Sequence, residues 1–393
     1  MRRSLSLLWI ALLAVPLATT AWDPLSPPLT ENRKIAAPPT LPTDWPTLAA
    51  FPAQTSAWLT DHFGLRGLLT VWHNRLKYAL FGEYPGADLV RGKDDQIFLN
   101  FGKGESWRSL RGICGLDIVD PPMTERIAQM VDYIAEIHAA NPTVRLVVIP
   151  DKSRVIPEKL PDWLQADCAQ SHPPMPDILA KAAARLGKDR PILYPLTEFR
   201  AATPYPAANF HWTVAGAWPI AQLIAETHLG IARRTNPTLR PFNSFSDLTS
   251  FMPGLSRPIT ETEPDWSGTG MLSCRDRPEC FPEFPEIAER LIQVSRFWPA
   301  APKADTERRP RLLLLSDSFG TGIAPGLAPY FSDLWHISLN EGKRLSAAQR
   351  ATLRQIAVEA FNPDIILLLF SEGGMVAESN SLRAARRLLA EAP

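Results

Sequence analysis

Three observations predict an α/β fold in which a mostly parallel central sheet is covered by helices on both faces. Short apolar runs at 144–149, 312–316, 335–339 and 365–369 read as strands buried on both sides. Segments of helical period, such as 124–140 and 346–360, alternate with those runs. The chain has 393 residues, 45% hydrophobic and 21% charged, which is enough to bury such a core. No internal repeat and no linker divides it. Residues 31–393 are therefore expected to form a single domain, with 57–110 as an N-terminal helical and hairpin addition.

The chain opens with Arg2 and Arg3, an apolar run over 5–15, and the small residues Thr19, Thr20 and Ala21. That order is the pattern of a secretory signal peptide over 1–21, cut after Ala21. An uncleaved membrane anchor is the alternative, although the run is short for spanning a bilayer. No later segment has transmembrane character. Residues 31–56 are polar and Pro-rich and are expected to lie over the surface. From 53 to 80, Trp58, Leu59, Phe63, Leu69, Trp72, Leu76 and Leu80 recur at three- and four-residue spacing, the period of an amphipathic helix. Gly64 and Gly67 predict a bend or a break in its middle. Residues 88–102 read as a small hairpin with its turn at 92–95.

Beyond 120, helix and strand alternate. A helix at 124–140 leads to the strand at 144–149, a long loop through 150–161, a helix at 178–186 and a short strand at 191–194. The loop at 200–212 enters a helix capped by Thr213, in which Pro219 forces a late start or a kink. Residues 231–285 are rich in Pro, Ser and Thr and are expected to be irregular. A helix near 285–298 precedes the strand at 312–316. Strands at 335–339 and 365–369 follow, with a helix at 346–360 between them, and a last helix begins near Glu378.

Lys plus Arg and Asp plus Glu are equal at 41. Loss of 1–21 would remove Arg2 and Arg3, leaving 39 basic against 41 acidic residues and a net charge of −2. Nothing in that balance points to nucleic acid or to electrostatic adhesion of the whole chain to a membrane. Export makes disulfides possible for the four cysteines. Cys274 and Cys280 bracket a short polar loop and can close a small ring, which leaves Cys114 and Cys168 for a second bridge. This is one of three pairings open to four cysteines. No His or Cys recurs at ligand spacing, so no metal site is assigned and no cofactor is expected.

The chemistry concentrates at RLLLLSDSFGTG, 311–322. A serine at the C-terminal end of a central strand, followed by a Gly-containing turn, is where open α/β sheets place a nucleophile. Ser318 occupies that position, and an ordinary strand-to-helix turn capped by Asp317 and Ser318 is the plainer reading. A catalytic serine needs a base within reach. Of the seven histidines, only His211 sits in a loop flanked by aromatics, Phe210 and Trp212, just ahead of a helix. The loops at 150–160, 206–212 and 317–322 are expected to converge, bringing His211 Nε2 to about 3 to 4 Å from Ser318 Oγ.

Six segments carry a resemblance: DHFGLR (61–66), VRGKDDQIF (90–98), IPDKSRVIPEKLP (149–161), NFHWTVAGAW (209–218), LSDSFG (315–320) and NPDIILLLFSE (362–372). In this order they resemble the successive blocks of the alginate O-acetylation proteins, periplasmic or membrane-attached members of the SGNH/GDSL hydrolase superfamily. The resemblance runs from about 31 to 374. It implies an SGNH hydrolase-like three-layer sandwich and transfer of acetyl groups from a donor protein to sugar hydroxyls through an acyl-serine. Ser318 matches the nucleophile and His211 the base. The family's acid lies two residues before that histidine, where this chain has Asn209. An asparagine can accept a hydrogen bond from the imidazole but supplies no charge, and loss of such a carboxylate can cost about 10⁴ in rate. Ser316 stands where the family has Gly, and Gly373 where it has Arg.

Glu372 matches a glutamate of the family and, with Trp212, is a candidate substrate contact, although Trp212 and its neighbours read equally as core. The oxyanion donors would be the N–H of Ser318 or Phe319 with a second polar group. The implied partners are a polysaccharide, a membrane-bound acyl-donor protein and other subunits of an exopolysaccharide acetylation complex, in the periplasm. The alternatives are a carbohydrate esterase of the same fold and a non-catalytic polysaccharide-binding or scaffold subunit.

Overall fold

The structure is a computed structural model that describes residues 35–84, 86, 88–100, 109–116, 122–186, 192–232, 238–267, 270–300 and 309–390, with Trp9, Val15, Thr19 and Thr20. Apart from those four residues, the expected signal segment and its cleavage point lie outside the described residues. No helix among the described residues is long and apolar enough to cross a membrane. The chain separates into two compact units, one of residues 1–89 with 245–258 and the other of 90–244 with 259–393.

The first unit holds α1 (Trp45–His62) and α2 (Arg66–Phe81). Asp44 and Thr47 form a reciprocal capping box at the start of α1. The expected break falls at 63–65, where Phe63 is extended and Leu65 takes a left-handed conformation with φ 65°.

From residue 89 onward the expected ribbon is β1 (Leu89–Arg91) and β2 (Ile97–Leu99), joined by a turn in which Asp94 and Asp95 have positive φ. Further along come α3 (Met123–Ala140), β3 (Val144–Ile149), α4 (Pro174–Leu186), β4 (Ile192–Leu193) and α5 (Val214–Gln222). Next are β5 (Leu239–Phe245), β6 (Pro258–Pro264), β7 (Met271–Cys274), α6 (Pro285–Leu291), β8 (Val294–Pro299) and β9 (Arg311–Ser316). The chain continues through α7 (Gly320–Leu327), β10 (Asp333–Ser338), α8 (Ala347–Arg354), β11 (Ile365–Ser371) and α9 (Asn380–Ala390). The main sheet has seven strands in the order β4-β3-β11-β9-β10-β8-β7. The five from β4 to β10 are parallel, and β8 and β7 are antiparallel at one edge.

Register explains the three layers. Leu313 and Leu315 of β9 lie beside Ile366 and Leu368 of β11, and all four face one core with α3, α4, α6, α8 and α9. Leu312 and Leu314 point the other way, with Leu367 and Leu369, into a second core closed by α5 and α7. Two buried faces require strands that are apolar at every position, which is how these runs read.

Two expectations are corrected here. Residues 231–285 are not irregular, because they contain β5, β6 and β7. The helix expected near 285–298 stops at Leu291, Ile292 turns left-handed at φ 68°, and β8 follows. Leu291, Val294 and Phe297 fall at helical spacing, so periodicity alone continues the helix. Pairing with β10 and β7 makes the segment a strand instead. The loop at 150–161 also contains a helical turn at Lys152–Val155 and a tighter one at Pro157–Lys159.

Disulfides join Cys114 to Cys168 and Cys274 to Cys280. They span 54 and 6 residues, so chain-entropy arguments give about 4 kcal/mol for the first and about 2 kcal/mol for the second. The Cys114→Ala/Cys168→Ala protein is thus expected to lose about twice as much stability as Cys274→Ala/Cys280→Ala. Denaturant midpoints of the two proteins check this, and equal losses would rule out the loop-length account.

Candidate active site

Ser318 lies in the turn between β9 and α7, half-buried between buried Asp317 and Phe319. The Asp317 carboxylate shapes that turn. Its Oδ1 accepts from Phe319 N at 3.1 Å and its Oδ2 from Ser371 N at 2.8 Å, which ties the end of β9 to the end of β11. Burial pushes the Asp317 carboxyl up, and the hydrogen bonds from Ser371 and Phe319 oppose that shift. Since Phe319 N–H is occupied by Asp317, it is not available as the expected oxyanion donor. The Ser318 N–H makes no hydrogen bond among the described residues.

The serine turn and the histidine loop meet. His211 Nε2 lies 2.8 Å from Ser318 Oγ. The imidazole sits between two aromatic rings, 4.4 Å from Phe210 and 4.9 Å from Phe319 between centroids. Its neighbour Trp212 is buried, stacks on Phe199 at 5.5 Å, and donates from Nε1 to Phe319 O at 3.0 Å. One aromatic cluster therefore holds both the serine turn and the histidine. Thr213 caps α5 by accepting from Gly216 N, and the start of that helix fixes the exit of the loop.

Sequence reasoning missed Lys152. Its side chain is buried, and Nζ donates to Pro206 O at 2.7 Å and Asn209 O at 2.8 Å. A buried ammonium needs such acceptors, so Lys152 pins the loop that presents His211. Asn209 is buried in that loop, two residues before the histidine. A lysine just past the C-terminal end of β3 was the available signal, but nothing local shows which carbonyls it would meet.

Trp212 and Glu372, expected as substrate contacts, do not face solvent. Trp212 is a core residue, and Glu372 is fully enclosed. Glu372 Oε2 accepts from Asp151 N at 3.0 Å and from Tyr194 Oη at 2.9 Å, joining the C-terminal ends of β3, β4 and β11. Its Oε1 has no hydrogen-bond partner, and Arg154 Nε is 3.9 Å away. Burial pushes the Glu372 carboxyl up to about 7, against the hydrogen bond from Asp151 N and the charge of Arg154.

That shift has a testable sign. The unfolded glutamate ionises near 4.5 and the folded one near 7, so between those values the folded chain holds more protons. Stability from this group is full below pH 4.5 and falls as pH rises through 7, by at most about 3 kcal/mol. Glu372→Gln is expected to remove the fall, so the variant should gain on the wild type as pH rises. His336 and His228, lowered by burial to about 3 and about 4, act with the opposite sign but are common to both proteins. Urea midpoints from pH 4.5 to 8 read the difference, and parallel curves would contradict the assignment.

A second serine–histidine pair lies beneath the first. Ser316 Oγ is 2.8 Å from His336 Nε2 and 2.6 Å from Asp317 O, with both residues fully buried. Ser316 donates to the carbonyl and accepts from a neutral imidazole, so this pair is structural and closed to substrate. It fits because residue 320 has no side chain: a Cβ there would come within 2.0 Å of Ser316 Oγ and 2.4 Å of His336 Nε2. Gly320→Ala is expected to cost about 1–3 kcal/mol by overpacking, read as a lowered Tm. An unchanged Tm would show that His336 can move aside.

Among the described residues no group of His, Cys, Asp or Glu is placed to hold a metal ion. No family profile matches this chain, and no curated protein sequence does. Its structure is similar to that of a DHHW family protein from Eubacterium siraeum, 13% identical over 77% of this chain and 96% of that one, with a TM-score of 0.50. PatB1 of Bacillus cereus with a sulfonyl adduct is also 13% identical, over 73% of this chain and 95% of that one, at a TM-score of 0.46. The O-acetyltransferase domain of Pseudomonas putida AlgJ is 13% identical over 77% and 99%, at 0.40. At such identity the likeness to the Eubacterium siraeum protein is one of fold: a three-layer α/β sandwich around a largely parallel sheet.

Proposed function

We propose that this chain is an exported O-acyltransferase that places acetyl groups on polysaccharide hydroxyls through an acetyl-Ser318 intermediate. One observation carries the reading: His211 Nε2 stands 2.8 Å from Ser318 Oγ, beyond the C-terminal edge of the parallel strands. The ordered resemblance of six segments to the alginate O-acetylation proteins supports it.

In this reading His211 takes the serine proton as Oγ attacks the acetyl carbonyl, and the oxyanion is met by the Ser318 N–H. The donor's leaving group departs with the proton returned by His211. A sugar hydroxyl then attacks the acetyl-serine, giving up its proton to His211, which passes it to Ser318 Oγ as the acyl–serine bond breaks and the sugar ester forms. Asn209 orients the imidazole, and Lys152 holds the loop that carries both. The donor is a membrane-bound acyl-donor protein, the acceptor an exported polysaccharide, and the setting a periplasmic acetylation complex. Water in place of the sugar hydroxyl would make the same site a carbohydrate esterase.

A second reading, a non-catalytic polysaccharide-binding or scaffold subunit, is favoured by the uncharged Asn209. A pulse of activated acetyl ester followed by intact-mass and peptide analysis separates the two. Catalysis expects one acetyl group on Ser318. A folded chain that stays unlabelled is a scaffold.

A further inference from the structure

We propose that the outer face of α2 lies in the headgroup region of an anionic lipid bilayer. The helix is inverted with respect to its own unit. Its inner face is largely polar: Asn74 is buried and donates from Nδ2 to Pro253 O at 2.8 Å, and Tyr78 Oη accepts from Arg257 at 2.6 Å. Val71 also lies on that face, packed close against Gly254. The opposite face carries Leu69, Trp72, Leu76 and Leu80, at spacings of three, four and four residues, which form one continuous ridge. These side chains are 50%, 65%, 55% and 65% exposed. A helix that buries an asparagine while holding a tryptophan and three leucines out in solvent requires a cover for that ridge.

Two observations identify a bilayer surface as the cover. The first is charge. Within α2 the basic residues are Arg66, His73, Arg75 and Lys77, and the helix has no Asp or Glu. By helical spacing Arg66, His73 and Lys77 border the ridge along one side, while Arg75 donates from Nε to Gly254 O at 3.0 Å toward the inner face. An apolar ridge edged along one side by Arg66 and Lys77, with a tryptophan in it, is the composition of a helix lying at an anionic interface, where Lys and Arg stems reach up to headgroups. The second is continuity. The apolar run over 5–15, which reads as a signal or an anchor, ends shortly before Thr20, and Thr20 Oγ1 accepts from Gly64 N at 3.2 Å. In a chain that retains 1–21, that contact places Thr20, five residues past the apolar run in sequence, two residues ahead of Arg66 at the start of α2. The inference is independent of the reading of Ser318.

The test uses the full chain in vesicles of phosphatidylethanolamine and phosphatidylglycerol that contain a lipid with a photoactivatable diazirine in its acyl chain. After illumination and digestion, lipid adducts are expected on Leu69, Trp72, Leu76 and Leu80, with none on Asn74 or Tyr78. Trp72→Ser/Leu76→Ser, at exposed positions, should keep its circular dichroism and lower adduct yield over 66–81 by about tenfold or more. Yield at 1–21 should be unchanged. Replacing phosphatidylglycerol by phosphatidylcholine should reduce the 66–81 adducts several-fold, and equal yields would overturn the anionic part of the proposal. A chain held by 1–21 with no adduct over 66–81 would overturn it entirely. So would a ridge linked to a second copy of the chain in place of lipid.

Discussion

Ser318→Ala is expected to abolish acetylation of the chain by an activated acetyl ester, and His211→Ala to slow it by about 10⁴-fold or more. A serine hydroxyl attacks a carbonyl only as its proton leaves, and the base in position is His211 Nε2 at 2.8 Å. His336 cannot take over, because it is fully buried and bonded to Ser316. Neither change should unfold the chain. Ser318 is half-buried at the surface of its turn, and the turn is shaped by Asp317 and Trp212, which both variants keep. Intact-mass time courses give the rates, and circular dichroism checks the fold. Label that persists in Ser318→Ala on another residue would remove Ser318 as the nucleophile.

The second large effect runs the other way. Asn209→Asp is expected to speed acylation of Ser318, by up to about 10⁴-fold, through stabilising the imidazolium that forms as the serine attacks. Position 209 can hold a carboxylate. It is buried, but the Lys152 ammonium is bonded to the carbonyl of the same residue at 2.8 Å, so a charge there has a cation close by. Asp317 makes no hydrogen bond to His211: its two oxygens accept from Phe319 N and Ser371 N, and it meets the imidazolium only as a nearby charge. A fast wild type that is slowed by Asn209→Asp would mean that another group orients His211. If both proteins fold and neither is labelled, the scaffold reading replaces catalysis.

Much of the architecture was legible because it is local. The apolar run at 144–149 matches β3 to the residue, and those at 312–316, 335–339 and 365–369 match their strands to within two residues. Thr213 is recognisable as a cap from its place ahead of α5, and the break near Gly64 from the glycines between two amphipathic halves. For the candidate site, the serine turn and the loop histidine were each recognisable from their neighbours.

Other features depended on partners far along the chain. The strand β8 has helical spacing and becomes a strand only because β10 and β7 flank it. Ser316 and His336 look unrelated in sequence, and Glu372 looks like a group at a site, until parallel register turns all three inward. Lys152 reads as a surface cation until the 206–209 carbonyls close over it. His211 and Ser318, 107 residues apart, meet because the chain returns to insert β11 between β3 and β9, bringing the ends of those strands together. Periodicity records whether a side chain is buried within its own element. Which group it is buried against is set by strand order and register, and those are properties of the assembled sheet.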